Sequence, residues 1–251
     1  MKGFGWNPWH GCRKCSEGCL NCWLYRMDGK YDRDTSKIVE SKTAFDAPLK
    51  MDRKGEYKIK SGTEVGTCFA SDFFIEDADG MRARAWAVIK SRPDLNFLIP
   101  TKRTARIADC LPNDWGDGYD NVLVAVSVEN QKRADERLPY LLDAPLKKRG
   151  VLAAPLLENI DLSEYLNGGK IDFVSAAGES CFGARECRFE WILDLRRQCE
   201  KSGTAFEYRQ TGSNFVKDGK RYKIPHKKEY EQAKKANLNL VEKAAKMHKR
   251  T

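Results

Sequence analysis

The chain has 251 residues, 41% of them hydrophobic, and a net charge of +9. It has no run of about 18 apolar residues, which excludes a membrane-spanning helix, and its three histidines are too few for a site built on several imidazoles. Residues 1–6 show no apolar stretch of the kind found in secretory signals. We therefore expect a cytoplasmic protein with reduced thiols and no membrane partner.

The first predicted feature in chain order is a cysteine cluster. Cys12, Cys15, Cys19 and Cys22 lie within eleven residues, which in a reducing compartment indicates a metal site. The last three have C-x3-C-x2-C spacing, and thiolates are the ligands of iron–sulfur clusters. Three thiolates would leave one iron of a [4Fe–4S] cluster open to chelate S-adenosylmethionine (SAM), whose reductive cleavage gives a 5′-deoxyadenosyl radical.

Two other interpretations of the cysteines stay open. All four could bind a closed cluster that serves electron transfer or structure. Alternatively, two C-x2-C pairs could form a zinc site, although only three residues separate these pairs.

After a polar, loop-rich insertion at residues 28–64, short β-favouring runs alternate with helical patterns. This alternation is typical of βαβ units with a parallel sheet. It predicts an α/β fold, a complete or partial (β/α) TIM-type barrel. The predicted strands are a short one near Trp6 and the runs Val65–Ala70, Leu95–Pro100, Val122–Val128, Val151–Ala154, Ile171–Ala177 and Ala205–Tyr208, with helical faces in 81–89, 134–142 and 189–199.

Polar residues follow each of the six longer predicted strands. Any one of them is most simply a helix cap or turn residue, but ligands bind at the carboxyl ends of the strands in such folds. We therefore treat them as candidate binding residues. They are Ser71, Asp72, Thr101, Lys102, Arg103, Ser127, Glu129, Asn130, Glu158, Gly178, Glu179, Ser180, Gln210, Thr211 and Gly212.

The basic charge is concentrated at the end of the chain. Residues 217–251 contain twelve Lys/Arg and four Asp/Glu, which gives +8 of the total +9. Such a segment is either a phosphate-contacting arm or a solvated helical tail. We predict a barrel with an N-terminal Fe–S loop in 1–216 and a basic segment in 217–251. Deleting residues 226–251 is expected to leave the cluster and SAM cleavage intact, because the predicted barrel strands end near Tyr208.

The sequence also resembles a phage-associated three-cysteine family related to radical SAM proteins. The resemblance begins with the W-N-P-W-x-G-C pattern of residues 6–12 and covers nearly the whole chain. Its segments are Trp6–Tyr25, Cys68–Phe74, Thr101–Arg103, Val128–Asn130, Pro155–Glu158, Gly178–Ser180 and Gln210–Gly212.

The resemblance implies a barrel of the radical SAM kind with a [4Fe–4S] cluster and SAM as cofactors. The family signature places ligands at Cys12, Cys19 and Cys22, whereas the usual radical SAM spacing selects Cys15 with the same two partners, so both sets stay open. No catalytic residue is assigned. Strand-end position and resemblance together assign SAM binding to Ser71, Asp72, Ser127, Glu129, Asn130, Gly178 and Glu179, and substrate contacts to Lys102, Arg103, Glu158, Arg209 and Gln210.

The expected function is radical modification or rearrangement of a nucleotide or DNA base, with hypermodified thymidine in phage DNA as one candidate. A flavodoxin- or ferredoxin-type electron donor would be its partner. Two alternatives remain: a radical SAM mutase or epimerase acting on a small molecule, and a non-enzymatic Fe–S or zinc protein that binds nucleic acid.

Overall fold

The structure, a computed structural model, describes residues 3–240. None of the helices in this range has the length and apolar composition needed to cross a membrane. The strands are β1 (Phe4–Trp6), β2 (Trp9–His10), β3 (Val39–Glu40), β4 (Glu64–Thr67), β5 (Asn96–Thr101), β6 (Val122–Ser127), β7 (Lys148–Ala153), β8 (Phe173–Ala177), β9 (Cys187–Arg188), β10 (Ala205–Gln210), β11 (Asn214–Lys217) and β12 (Lys220–Lys223). The α-helices are α1 (Trp23–Gly29), α2 (Asp79–Lys90), α3 (Gln131–Asp143), α4 (Ser163–Leu166), α5 (Phe189–Ser202) and α6 (His226–Lys235).

Seven strands form one sheet in the order β1-β4-β5-β6-β7-β8-β10, which is also their order in the chain. The pairings of β1 with β4, β4 with β5, β7 with β8, and β8 with β10 are parallel. A sheet that grows in one direction through right-handed crossovers has the topology of a (β/α) barrel, whereas a doubly wound sheet reverses direction. Since β1 and β10 are its two edges, the predicted α/β fold is confirmed as a partial barrel.

The strands form where the sequence has continuous apolar, β-branched runs. Five of the six residues of β6 are buried, which is typical of a parallel strand covered on both faces. Each predicted strand coincides with an observed one to within a few residues. The sequence did not predict the short strands β2, β3 and β9 or the β11–β12 hairpin, because two-residue strands and exposed strands lack such a run.

The chain divides into two compact units. The first comprises Met1–Cys15, Leu24–Ala125 and Asp143–Lys148. Its core contains a chain of aromatic contacts, in which the ring of Trp9 lies 5.4 Å from that of Phe73, and Phe73 lies 4.8 Å from Trp86. Because all three rings are buried, this cluster fixes β2 and the start of the cysteine loop against α2.

The second unit comprises Ser16–Trp23, Val126–Leu142 and Arg149–Thr251. Within it, α5 packs on β8 and β10, and α6 packs on β10. A second sheet, in the order β12-β11-β9, also belongs to this unit. Residues 217–240 of the predicted basic segment are therefore part of this unit, and residues 241–251 lie outside the described residues.

Candidate functional site

The first part of the cysteine loop is fixed by backbone contacts within the first unit. Gly11 has φ +104°, and a Cβ there would lie 2.2 Å from the carbonyl oxygen of Lys37, so only glycine fits. The Cys12 N–H donates to the Thr35 carbonyl at 2.8 Å, and the Tyr25 hydroxyl donates to the Cys12 carbonyl at 2.6 Å. The backbone of Cys12 is thus held on both sides of its α-carbon.

Arg103 places a positive charge beside this loop. Its Nη1 lies 4.0 Å from the Cys12 sulfur, and its Nη2 donates to the Arg13 carbonyl at 2.9 Å. Burial disfavours its charged form, but the negative charges of Asp72 and of the Cys12 and Cys15 thiolates outweigh burial and raise the pKa of Arg103. The guanidinium therefore stays charged, and a neighbouring cation favours the thiolate form that binds metal.

Asp72 organises the strand ends of the first unit. One of its carboxylate oxygens accepts hydrogen bonds from the Thr101 hydroxyl at 2.8 Å and the Phe74 N–H at 3.0 Å. The other accepts from the Lys102 N–H at 3.0 Å and lies 3.2 Å from Arg103 Nη1. Because every contact is internal and Asp72 is buried, this carboxylate positions Arg103 and the end of β5.

Ser71 and Lys102 differ from Asp72 in their exposure. The Ser71 hydroxyl donates to the Gly11 carbonyl, so it links the end of β4 to the cysteine loop. The Lys102 side chain is half-buried, and its ammonium makes no ion pair with any residue in the described range. Lys102 thus differs from Arg103, whose guanidinium pairs with Asp72.

The second part of the cysteine loop is anchored within the second unit by a buried carboxylate. Gly18 donates its N–H to Glu129 Oε1 at 3.2 Å, and a Cβ at Gly18 would lie 2.9 Å from that carboxyl group. Arg137 Nη1 donates to the other oxygen of Glu129 at 2.8 Å and to the Ser127 carbonyl at 2.7 Å. Glu129 is fully buried, so this ion pair fixes the loop between Cys15 and Cys19.

Two further ion pairs stabilise this second part of the cysteine loop. Arg133 binds Glu17 through two nitrogen atoms at 2.8 and 2.9 Å, and these hydrogen bonds lower the pKa of Glu17 from 4.5 to about 2. Glu179 accepts from the Asn21 amide at 2.9 Å and pairs with Arg185. Burial raises the pKa of Glu179, but the hydrogen bonds from Arg185 more than offset it, so its pKa is lowered.

Cys19 and Cys22 lie in a turn built from local hydrogen bonds. The Cys19 N–H donates to the Ser16 carbonyl at 3.0 Å, and the Cys22 N–H donates to the Cys19 carbonyl at 3.4 Å. The Ser16 hydroxyl lies 3.8 Å from the Cys19 sulfur, which is within reach for a hydrogen bond to a thiolate. Both thiols are half-buried.

The ends of β8 and β10 pack closely on each other. A Cβ at Gly178 would lie 2.3 Å from the Thr211 carbonyl oxygen, and one at Gly212 would lie 2.8 Å from Gly178. The Gln210 amide donates to the Gly178 carbonyl at 3.0 Å and to the Ser180 hydroxyl. The structure thus brings these predicted residues together, and it explains both glycines by close packing.

Two other predicted residues accept hydrogen bonds at the N-terminus of α3. The Asn130 side chain accepts from the Arg133 N–H at 2.9 Å, and Glu158 accepts from the Gln131 N–H at 2.8 Å. Both are therefore caps of the α3 N-terminus, where carboxylates and amide oxygens satisfy unpaired N–H groups. Arg209 is half-buried at an irregularity of the β8–β10 pairing.

The cysteines suit an iron–sulfur cluster by their chemistry. None of the nine is in a disulfide, and only Cys15 of the four in the loop is exposed. In the described part of the chain, no group of three His, Cys, Asp or Glu side chains is placed to hold a single metal ion. A [4Fe–4S] cubane does not require three side chains around one metal ion, because each thiolate binds a different iron. The Cys12 sulfur has the Arg103 guanidinium as a polar neighbour, and the Cys19 sulfur has the Ser16 hydroxyl.

The arginines of the second unit were not among the residues predicted from the sequence. Arg133 and Arg137 lie one turn apart on α3, and Arg185 follows β8. One signal existed, because Arg137 falls within the apolar face formed by Ala134, Leu138 and Leu141, where a charge indicates a buried partner.

Comparisons with known proteins give a family and one structural likeness. The family model described as "Protein of unknown function (DUF5131)" matches residues 3–248. None of the curated proteins matches. A solved structure described as "Spore photoproduct lyase complexed with dinucleoside spore photoproduct" is similar over 77% of this chain and 59% of that one, at 12% identity and a TM-score of 0.41. The chain thus spans less than two thirds of that protein, and the likeness assigns no function.

Proposed function

The chain belongs to the DUF5131 family of proteins of unknown function, and we propose that it is a radical SAM enzyme with a [4Fe–4S] cluster held by three cysteines of residues 12–22. The observation that carries this proposal is the set of four unbridged cysteines within eleven residues. When bound, such a cluster supplies the electron that cleaves SAM to methionine and a 5′-deoxyadenosyl radical.

We propose Cys12, Cys19 and Cys22 as the ligands. Cys12 has a fixed backbone and a guanidinium 4.0 Å from its sulfur, whereas Cys15 is exposed. Arg103 would keep the Cys12 sulfur in its thiolate form. The Ser16 hydroxyl would donate to the Cys19 thiolate, which stabilises the same charge state.

The predicted SAM residues divide into two groups by their contacts. Asp72, Glu129 and Glu179 are buried and occupied by internal hydrogen bonds, so we propose that they position the loop and the strand ends. The residues still proposed to contact SAM directly are Ser71, Ser127, Asn130 and the Gly178 backbone. Ser71, Asn130 and Gly178 also make internal hydrogen bonds, but none of the three carries a buried charge that needs an internal partner. In this assignment the strand ends bind and orient SAM, and the buried carboxylates keep them rigid.

The proposed substrate is a nucleotide or a base in DNA, with modified thymidine as one candidate. The support is the basic segment 217–251, which carries +8 and suits a polyanion. Lys102 and Arg103 would meet a phosphate, with Arg209 and Gln210 as further substrate contacts and Glu158 acting through α3. A flavodoxin- or ferredoxin-type protein would donate the electron.

Anaerobic reconstitution tests the proposed function. The loaded protein should contain about four irons and four sulfides per chain. With a strong reductant it should convert SAM to methionine and 5′-deoxyadenosine, and SAM should perturb the EPR signal of the reduced cluster. A Cys19→Ala, Cys22→Ala double variant should lose all three properties, and Cys110→Ala, a half-buried cysteine outside the loop, should retain them.

Two outcomes would contradict this function in different ways. Stoichiometric zinc without sulfide would identify a zinc site. An intact cluster whose spectrum SAM does not alter, together with no cleavage, would favour a non-enzymatic Fe–S protein that binds nucleic acid.

A further inference from the structure

The second unit contains a cavity beside the β11–β12 hairpin. In this hairpin Phe215 pairs with Tyr222, and the two strands face the N-terminus of α5 and the C-terminal half of α6. The cavity has a volume of about 310 Å³, at the lower end of the range for small-molecule sites. It therefore suits one ring system with a small substituent.

Aromatic side chains form much of its lining, namely Phe189, Tyr208, Phe215 and Tyr222. The ring of Phe189 lies 5.9 Å from that of Phe215, and the ring of Phe215 lies 6.4 Å from that of Tyr222. Tyr222 is 43% exposed, so part of its surface is open to a ligand. Faces of this kind stack on flat, electron-rich or electron-poor rings.

Tyr208 adds an unsatisfied polar group to the lining. It is 2% exposed, yet its hydroxyl has no hydrogen-bond partner among the described residues. Buried hydroxyls are almost always paired, so this hydroxyl is available to a ligand, an ion or an ordered water in the cavity. Burial also raises the pKa of Tyr208, which keeps the hydroxyl protonated and able to donate to an acceptor atom.

Positive charge surrounds the cavity. Lys217 and Lys235 are exposed and line it, and the Lys217 ammonium lies 4.9 Å from the centre of the Phe189 ring. From residue 214 to 235 the chain has eight Lys/Arg and three Asp/Glu, a balance of +5. All four residues of β12 are exposed, so this charge faces solvent and suits an anion.

These features select among possible occupants. A purely apolar ligand would leave the Tyr208 hydroxyl unpaired and would make no use of the two lysines. Residues 241–251 carry four Lys/Arg and one Glu, so lysines at the cavity would repel that segment. A ligand with a flat ring, a hydrogen-bond acceptor on the ring and a negative charge beside it satisfies every feature.

We propose that this cavity binds one nucleotide, with its base against the aromatic rings and its phosphate at Lys217 and Lys235. The Tyr208 hydroxyl donates to an acceptor on the base. The nucleotide is either free or one unit of a single-stranded nucleic acid, since both present the same chemistry. The site uses none of the residues proposed for the cluster or SAM, so it does not depend on radical chemistry.

Fluorescence anisotropy with the full-length reconstituted protein tests the site. The probes are a labelled oligothymidylate, an abasic oligonucleotide of equal length, and thymidine monophosphate as competitor. Oligothymidylate should bind at least about tenfold more tightly than the abasic strand, because a stacked base adds to affinity. Competition by the monophosphate at similar concentrations would identify a free nucleotide as the source, and its failure would identify a nucleic acid. Equal binding of the two strands would overturn the proposal.

Tyr208→Phe isolates the hydroxyl, since it preserves the ring. It should weaken oligothymidylate binding about three- to tenfold, the value of one hydrogen bond, and leave abasic binding unchanged. It should also raise the midpoint of thermal unfolding, because it removes an unpaired buried group. A merely structural tyrosine would change stability alone, and that result would count against the site.

A double variant tests the phosphate contacts. Lys217→Gln, Lys235→Gln should weaken binding of both strands and lower the slope of log affinity against log salt by about 0.7, the contribution of one neutralised phosphate of a single strand. The matched control is Lys54→Gln, Lys58→Gln, which removes two exposed lysines of the first unit. Equal losses in the two double variants would show that only net charge matters and would overturn the assignment.

Discussion

At the scale of single residues, Arg103 accounts for much of the order in the first part of the cysteine loop. It is buried against Asp72, donates to the Arg13 carbonyl and lies beside the Cys12 sulfur. A largely buried cation requires compensating negative charge, which Asp72 supplies at 3.2 Å and which a Cys12 thiolate would increase. Cys12 also has a fixed backbone, whereas Cys15 is exposed, so we predict Cys12 as the third iron ligand.

Cys12→Ala and Cys15→Ala should behave differently. Loss of Cys12 should abolish the cluster, because this thiol has a fixed backbone and a neighbouring cation. Loss of Cys15, which is exposed, should leave at least about half of the iron. Iron and sulfide content after anaerobic reconstitution, together with the EPR spectrum, provides the measurement.

Two other outcomes of these substitutions would change the assignment of the ligands. Cluster loss in Cys15→Ala alone would assign the third ligand to Cys15 and contradict the role given to Arg103. Cluster loss in both variants would indicate four thiolate ligands, which leave no open iron for SAM.

At the scale of elements, the sequence predicted the strands that continuous apolar runs indicate. The core strands were found because a parallel strand buried on both faces reads as an apolar run. The β11–β12 hairpin was not, because β12 is Lys220-Arg221-Tyr222-Lys223 and fully exposed. Its stability comes from Phe215 and Val216 of β11, which are buried, so no run in β12 itself signals a strand.

The partners of the strand-end residues could not be predicted from the sequence. Gly18 and Glu129 are 111 residues apart, and Asn21 and Glu179 are 158 apart. The strand-end rule located Glu129 and Glu179 at the ends of strands and predicted SAM binding for both, but spacing along the chain does not reveal their internal partners. Because a buried carboxylate requires partners within the protein, we propose a positioning role for both.

Helix α6 leads to a prediction about truncation. Its Glu229 is buried and accepts hydrogen bonds from the hydroxyls of Ser180 and Ser213, and beyond it Leu240 pairs with Phe206 at the edge of β10. Deleting residues 226–251 should therefore lower the midpoint of thermal unfolding by at least about 5 °C, since it exposes an edge strand and removes the partner of two half-buried hydroxyls. From the sequence alone, we expected only that the deletion would leave the cluster and SAM cleavage intact.

A matched variant separates loss of the helix from loss of charge. Lys227→Gln, Lys228→Gln removes two exposed lysines of α6 and keeps its packing. Its midpoint should stay within about 2 °C of the wild type, as surface substitutions usually change stability little. If the deletion also left the midpoint unchanged, α6 would not belong to the folded unit. Scanning calorimetry of the reduced protein distinguishes these results.

At the scale of the whole molecule, carboxylates paired with arginines occur in both units and set the response to acid. In the first unit, hydrogen bonds from Arg92 lower the pKa of Asp94. In the second unit, Arg133 lowers the pKa of Glu17 from 4.5 to about 2. A carboxylate whose pKa is lower in the folded state stabilises the fold above its unfolded pKa, and this contribution disappears as the pH falls through the folded value.

Arg133→Gln should reveal this contribution as a change in acid sensitivity. The wild type should lose stability between about pH 4.5 and 2 as Glu17 becomes protonated. The variant should lose less over that range, because its Glu17 titrates near the ordinary value in both states. The difference in the free energy of unfolding at pH 7 should be about 1 kcal/mol or less, since Glu17 is partly exposed and solvent screens the pair.

Circular dichroism melts of the reduced apo-protein at pH 7, 5 and 3 measure this change in acid sensitivity. Arg197→Gln, which breaks the exposed pair with Asp194 on α5, is the control. If Arg133→Gln and the wild type lose stability in parallel down to pH 3, the Glu17–Arg133 pair does not stabilise the segment that carries Cys19.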